Sequence, residues 1–273
     1  MHSEQVFNLL TQEYTLVLAT TSQDFQAVKN LREEVFSSKY SMSFNQLKSI
    51  GFIFNKDDEQ SFIYLLKHNP SNEYIGTVRT CFVNSCTPVQ KIPMQKDANV
   101  NNIENLIQDF PICEISRLAL SNKLNNYQKI TGLQLRTYLS IALMTATRIN
   151  FFLYPYSKIF AFMEIFLYRI LKRQNVIFKQ ISEPVDSYGI RVPFAVERNE
   201  LLKSTEGTMG KLTRHYLKQL CQNPDSFWQF IDNNPYLERS DIQLDRICQL
   251  FKEYGDDVDL ELLLGEKEII TEV

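Results

Sequence analysis

Histidine is nearly missing from this chain, and the three present (His2, His68 and His215) share no spacing that would hold zinc. An HExxH helix and a Ser-His-Asp triad therefore drop out of the chemistry to consider. The five cysteines (Cys81, Cys86, Cys113, Cys221 and Cys248) are odd in number and contain no CxxC pair. That pattern fits a reducing compartment better than a disulfide framework, so free thiols and a cytoplasmic location are expected. No cationic start followed by an apolar run opens the chain, since Glu4 falls within Met1–Asn8, and a signal peptide is not expected. The nearest thing to a membrane span, Ile149–Leu171, is interrupted by Pro155, Lys158, Glu164 and Arg169. Charges at that depth cost about 2.5–3.5 kcal/mol each, so a buried strand followed by a helix is the better reading. Internal repeats and low-complexity tracts are absent as well, and the near-neutral balance gives no reason to expect a nucleic-acid partner.

What remains is a globular composition: 44% hydrophobic and 22% charged over 273 residues, enough to close a core and to exclude disorder throughout. The net charge of −3 averages unlike parts, a body (1–202) at +3 and an extension (203–273) at −6. Periodicity predicts a strand at Tyr14–Thr20, then a helix over Ser22–Tyr40 that starts on a capping residue and buries Phe25, Val28, Leu31, Val35 and Phe36. Ser61–Lys67 and Tyr74–Val83 flank a turn and read as a hairpin. Cys86–Pro111 reads as an excursion with a short helix at Asn102–Asp109. Ile112–Leu120 is a strand and Ile130–Asn150 a long helix. A strand near Lys158–Phe162, a helix near Met163–Arg173 and strands at Val176–Gln180 and Tyr188–Glu197 complete a mixed α/β body. The extension is expected to hold two helices docked on that body, near Met209–Gln222 and Ser240–Tyr254. The second carries a Ser240-x-x-Gln243 capping box and stops at Gly255.

Five segments place charge inside or beside apolar elements: LREEVF (31–36), NKDDEQS (55–61), GTVR (76–79), EISRLAL (114–120) and GIRVP (189–193). Strict strand alternation would put Glu114 and Ser116 on one face and Arg117 on the other. Glu114 and Arg117 converge only if the strand bulges near Ser116 and re-aims its side chains. On patterning alone each charge reads as a sheet-edge residue paired with a neighbour. Arg32 reads as an ordinary helix ion-pair partner beside Glu33 and Glu34, and Asp58 as a solvated loop charge.

Taken in order, these segments resemble the GNAT superfamily. The likeness lies with the branch that holds acyl-homoserine lactone synthases, N-acyl amino acid synthases and exosortase-associated acyltransferases, and it covers about residues 20 to 200. The fold it implies is a mixed central sheet flanked by helices, here followed by a C-terminal helical extension. The implied activity is transfer of a fatty acyl group from a thioester to an amine. No tightly bound cofactor is implied, only acyl carrier protein or acyl-CoA as co-substrate and a small-molecule amine as acceptor. By resemblance Glu114 is the general base and Arg117 the residue that orients it. Arg32, Phe36, Asp58, Arg79, Ser116 and Arg191 fall at acceptor-binding positions, and Leu118, Ala119, Leu120, Thr131 and Gly132 at donor-binding ones. Asn55 replaces an acidic residue of the family loop, and no Trp follows Phe36, Tyr40 being the nearest aromatic. Both departures point away from S-adenosylmethionine recognition and toward an acyl amino acid or other acyl amide as the product class.

The pyrophosphate loop of the family is reduced here to Tyr127–Leu133, with one glycine. A carrier-bound acyl chain needs that loop less than coenzyme A does. Lys123, Lys129, Arg136, Arg148, Lys172 and Arg173 are candidates for a basic surface facing an acidic carrier protein. Tyr168 falls near a general-acid position of the family but reads as a core aromatic. Two other functions stand beside the N-acyltransferase: a GNAT-like scaffold without turnover, whose Thr271-Glu272-Val273 ending suits carboxylate-capturing domains, and a homoserine lactone synthase.

Overall fold

The computed structural model describes residues 3–59, 61–83, 92–97, 111–126, 132–154, 158–202, 207–235, 237–255 and 258–264. The predicted short helix at Asn102–Asp109, Cys86, Lys129, Thr131 and the chain's last three residues lie outside them.

A helix, α1 (Ser3–Glu13), precedes the first strand, so the fold does not open on a strand as expected. Strand β1 (Tyr14–Leu18) leads into α2 (Ser22–Tyr40). The α2 cap is Thr21 rather than Ser22: Asp24 N–H donates to Thr21 Oγ1 at 3.2 Å, and Thr21 N–H donates to Asp24 Oδ2 at 3.0 Å. Two short helices follow, α3 (Phe44–Ser49) and α4 (Lys56–Glu59), and then the hairpin β2 (Ser61–His68) and β3 (Glu73–Val83). After α5 (Met94–Asp97) comes β4 (Ile112–Leu120), a 3₁₀ turn (Asn122–Asn126) and the long α6 (Gly132–Leu153). Strand β5 (Lys158–Met163) and helix α7 (Ile165–Lys172) match the sequence reading closely. The strand expected at Val176–Gln180 shrinks to β6 (Lys179–Gln180), and an unforeseen β7 (Val185–Asp186) pairs with β8 (Ile190–Glu197). Tyr188 and Gly189, both at positive φ, turn the chain between them.

The eight strands form one sheet in the order β1-β2-β3-β4-β5-β8-β6, with β7 against β8. Every pair is antiparallel except β4 and β5. Helix α2 covers one face, where Val28 and Leu31 meet Ile63 and Leu65 of β2. Helix α6 covers the other face and carries the main core. From Leu139 to Tyr154 every residue is buried, because α6 is clad by the sheet on one side and by other helices on the other. A helix enclosed in this way must be apolar nearly all round. Some of its polar exceptions are bonded: Tyr64 Oη donates to Asn150 Oδ1 at 2.7 Å, and Thr145 and Thr147 donate to carbonyls of the helix itself.

After α8 (Arg198–Leu202), the remaining described residues form four helices, not two: α9 (Gly207–Gln222), α10 (Asp225–Asp232), α11 (Leu244–Tyr254) and α12 (Leu260–Leu264). The Ser240–Gln243 capping box does not form. Ser240 sits in a separate 3₁₀ turn, and Gln243 precedes α11 without a side-chain cap, whereas Gly255 does end the helix at φ 61°. Leu212, Leu217, Phe227, Ile247 and Leu250 join the core built around α6. Cys221 and Cys248, expected as free thiols, are joined by a disulfide between α9 and α11, with Cα atoms 5.1 Å apart. A separation of 27 residues between two helices gives no sequence signal that they face each other. No helix among the described residues is long and apolar enough to cross a membrane.

Because Leu217 is fully buried in the shared core, Leu217→Ala is expected to destabilise the whole protein by about 2–5 kcal/mol. Urea denaturation followed by circular dichroism measures it. A shift of that size in the single main transition is the expected result, whereas a separate early transition would mean α9 melts on its own.

Candidate active site

Three of the charged residues gathered by the family likeness, Arg32, Asp58 and Arg79, meet on the α2 side of the sheet. Arg32 projects from α2, and its Nη1 donates to Asp58 Oδ1 at 2.8 Å and to the Ile53 carbonyl at 3.0 Å. Arg79 of β3 reaches the same Asp58 oxygen at 3.3 Å. The other Asp58 oxygen accepts from Asn55 N–H at 2.9 Å. All three charged side chains are fully buried, so neither the helix-surface reading of Arg32 nor the solvated-loop reading of Asp58 holds. Asn55, the departure from the acidic family pattern, is part of the cluster: its Oδ1 accepts from Arg79 Nη1 at 3.2 Å.

Burial alone would raise the Asp58 pKa, but Arg32 and Arg79 outweigh it and hold the carboxyl below its usual range. Burial lowers the Arg32 guanidinium against the pull of Asp58. Arg79 stays above its ordinary value, because Asp58 and, more weakly, Glu114 offset its burial. Arg32 Nε and Nη2 and Arg79 Nη2 have no hydrogen-bond partner among the described residues.

Glu114 lies beside this cluster on β4 and is 2% exposed, not the open pocket carboxylate expected of a base. Its Oε2 accepts from Met94 N–H at 2.6 Å. The bulge expected near Ser116 is present: Arg79 pairs with Ser116 and Thr77 with Ala119, leaving Arg117 and Leu118 opposite Val78. Arg117 adopts φ 56° and so turns out of the regular strand. Its guanidinium lies 4.2 Å from the Phe52 ring centroid, and its Nη2 donates to the Gly51 carbonyl at 3.3 Å. Arg79 Nε donates to Ser116 Oγ at 3.1 Å and ties the buried cluster to the start of the bulge.

Beyond Ile115 and Ala161 the parallel strands β4 and β5 no longer pair. A cavity of about 380 Å³ opens in the gap. Its walls bring together Phe36, Ser116, Arg117, Leu118, Ala119, Leu120 and Arg191, with Met144 of α6 and Phe166 and Leu167 of α7. Arg32, Asp58, Arg79 and Glu114 are not among the wall residues. Gly132 starts α6. Arg191 of β8 donates from Nη2 to Tyr40 Oη and faces the rings of Tyr40 and Phe162, each 5.9 Å away. Tyr168 stacks on Phe194 at 4.6 Å, as a core aromatic does. A wider chamber continues outward past Lys39, Tyr40, Glu164, Phe166 and Tyr188.

Two charged wall residues were missed from sequence, Lys39 and Glu164, which pair with each other at the mouth. The available signal was a carboxylate immediately after an apolar strand, in Lys158–Glu164. Of the basic set, Lys123, Lys172 and Arg173 are exposed and Arg136 lines the cavity. Arg148 is not on the surface: it is 1% exposed on α6, where burial and the nearby Arg214 push its pKa down to about 10. Among the described residues no group of His, Cys, Asp or Glu is arranged to hold a metal ion.

Asp58→Asn would leave two buried guanidinium groups without their shared counter-charge, and a loss of about 3–5 kcal/mol is expected. The depressed carboxyl contributes its full stability above about pH 4 and loses it as the pH falls through the lower folded value. Urea titrations of both proteins from pH 7 to pH 2 should therefore show the gap narrowing below about pH 4. A gap independent of pH would mean the cluster is not held by this charge.

No protein-family model matches the chain, and no curated protein matches it. Among solved structures it is similar to FeeM, an N-acyl amino acid synthase from uncultured soil microbes. The identity is 8%, over 70% of this chain and 93% of that one, with a TM-score of 0.50. BjaI, a CoA-dependent acyl-homoserine lactone synthase, is similar at 14% identity over 72% and 89% of the two chains, with a TM-score of 0.47. Escherichia coli ElaA is similar at 15% identity over 68% and 99%, with a TM-score of 0.40. Likeness at such identities concerns the fold, not the chemistry. In element order, sheet topology and the parting of two parallel strands, this chain has the GNAT fold.

Proposed function

We propose that the chain is an N-acyltransferase that moves a fatty acyl group from a thioester to the amine of an amino acid or related small molecule. The observation that carries this reading is the cavity between β4 and β5, apolar along Leu118–Leu120, Met144 and Leu167 but ringed by Arg117, Arg136, Arg191 and Lys39. An acyl chain lies along the apolar wall, and the bulge presents β4 backbone N–H groups, released from β5, to the oxygen of the tetrahedral intermediate. Arg191, braced by Tyr40, receives an acceptor carboxylate. Arg32, Asp58 and Arg79 act behind the wall by fixing Ser116 and the bulge, and Glu114 anchors Met94 in the same layer.

Acyl carrier protein is the favoured donor over coenzyme A. The single-glycine Tyr127–Leu133 segment and the exposed Lys123, Lys172 and Arg173 support that choice. The described helices between 207 and 264 serve as a layer docked on the body.

Purified protein given long-chain acyl carrier protein and a pool of amino acids should release free thiol in step with an acyl amide, seen by thiol titration and mass spectrometry. Turnover with acyl-CoA alone would overturn the carrier assignment. Thiol release without an amide product would mark a thioester hydrolase and overturn the transferase reading, and no release with either donor would leave a ligand-binding scaffold. Arg191→Met should raise the acceptor KM by tenfold or more, with a smaller change in kcat, since one charge-assisted contact to a carboxylate is lost.

A further inference from the structure

We propose that Glu164 receives the ammonium group of the acceptor and takes its proton, with the Lys39 ammonium holding that place in the free protein; this rests on the N-acyltransferase reading. Among the described residues Glu164 is the one carboxylate in the walls of both chambers, and it stands where an acceptor enters. Glu114, the base expected from sequence, is buried under Met94 and lines neither chamber.

Glu164 is the N-cap residue of α7, with extended backbone at φ −68° and ψ 144°, and its side chain makes no capping hydrogen bond. The favoured caps are the shorter Ser, Thr, Asp and Asn, and the longer Glu side chain reaches past the first turn. It points across the mouth to Lys39 of α2 and places a carboxylate against an ammonium. The two side chains are 42% and 43% exposed. An exposed ion pair contributes little to stability, so an incoming ammonium displaces Lys39 easily.

An amino acid then fits the charges of the cavity, its ammonium at Glu164 and its carboxylate toward Arg191. The chemistry balances with no further reactant. Glu164 takes one proton from the ammonium, and the freed nitrogen pair attacks the thioester carbonyl carbon to form a C–N bond. The C–S bond breaks as the tetrahedral intermediate collapses. The second nitrogen proton leaves with the thiolate as free thiol, and Glu164 returns its proton to water. The products are an amide, a thiol and one proton.

The test compares wild type, Glu164→Gln, Glu164→Asp and Lys39→Met as full chains, with long-chain acyl carrier protein and the amino acid pool as probes. Circular dichroism first verifies that each variant is folded. At neutral pH, Glu164→Gln should lower kcat/KM about 100-fold, the lower end of what a positioned base contributes. Its rate should recover as the pH is raised and water deprotonates the acceptor. Glu164→Asp should keep part of the activity, and Lys39→Met should lower the acceptor KM by removing the competing ammonium. If wild type turns over and Glu164→Gln matches it in rate and pH profile, the proposal fails while the transferase reading stands. A loss in Glu164→Gln that does not recover at high pH also overturns it, since that marks a purely structural residue. Absence of turnover by wild type overturns both.

Discussion

One carboxylate holds two buried guanidinium groups, and the geometry of the site descends from that constraint. Asp58 joins α2 through Arg32 and β3 through Arg79, and Arg79 reaches on to Ser116 of β4. Charges removed from water are costly, and three donor atoms of the two arginines lack partners among the described residues. A cluster so incompletely compensated is a poor source of net stability. What it supplies is position: Ser116 is fixed at the residue where β4 leaves its regular register with β3.

From that bulge the rest of the cavity follows. An extra residue opposite Val78 twists β4 and turns Arg117 toward Phe52, away from the cluster. The parallel pairing with β5 stops at Ile115, and both strands run on without each other. Unpaired strand in a protein interior leaves N–H groups to satisfy. Here the cost is met by opening a cavity where ligand or water can bind them. Around the mouth, Phe36, Tyr40, Phe52 and Tyr188 pack ring against ring at 4.8 to 5.8 Å and join α2 to the β7–β8 turn. The wall is thus held by stiff aromatic contacts on one side and by the sheet on the other.

Much of this was legible in the sequence where periodicity was strong. The apolar stripe of α2, the hairpin of β2 and β3, and the run ICEISRLAL each mapped onto one element within a residue or two. Short or capped features were harder. The Ser240–Gln243 box satisfies the pattern but not the structure, because Ile242 and Leu244 bury their side chains and set the chain path there. Tertiary packing likewise brings Cys221 and Cys248 together, at a spacing no rule of sequence picks out. The charged cluster was visible only through family likeness, since burial of Arg32 or Asp58 leaves no trace in a local pattern of polar residues. Glu164 was passed over for a related reason: a residue between a strand and a helix reads as a cap, and its alternative partner, Lys39, is 125 residues away.

Burial also separates two electrostatic layers that the sequence runs together. Behind the wall, two guanidinium groups face the carboxyl groups of Asp58 and Glu114, so the interior adds little net charge to the cavity. The field at the cavity is set by its own wall residues, Arg117, Arg136, Arg191 and Lys39 against Glu164. An excess of positive charge in a partly enclosed, low-dielectric space favours anionic ligands. In the reaction proposed above the acyl thioester is itself neutral, so the excess is available to the groups that accompany it: a carboxylate on the acceptor and phosphate on the donor arm. Among the described wall residues a single carboxylate, Glu164, stands in that positive field, and its natural counterpart is an ammonium. The charge pattern of the cavity thereby complements a zwitterion, with an ammonium at Glu164 and a carboxylate toward Arg191.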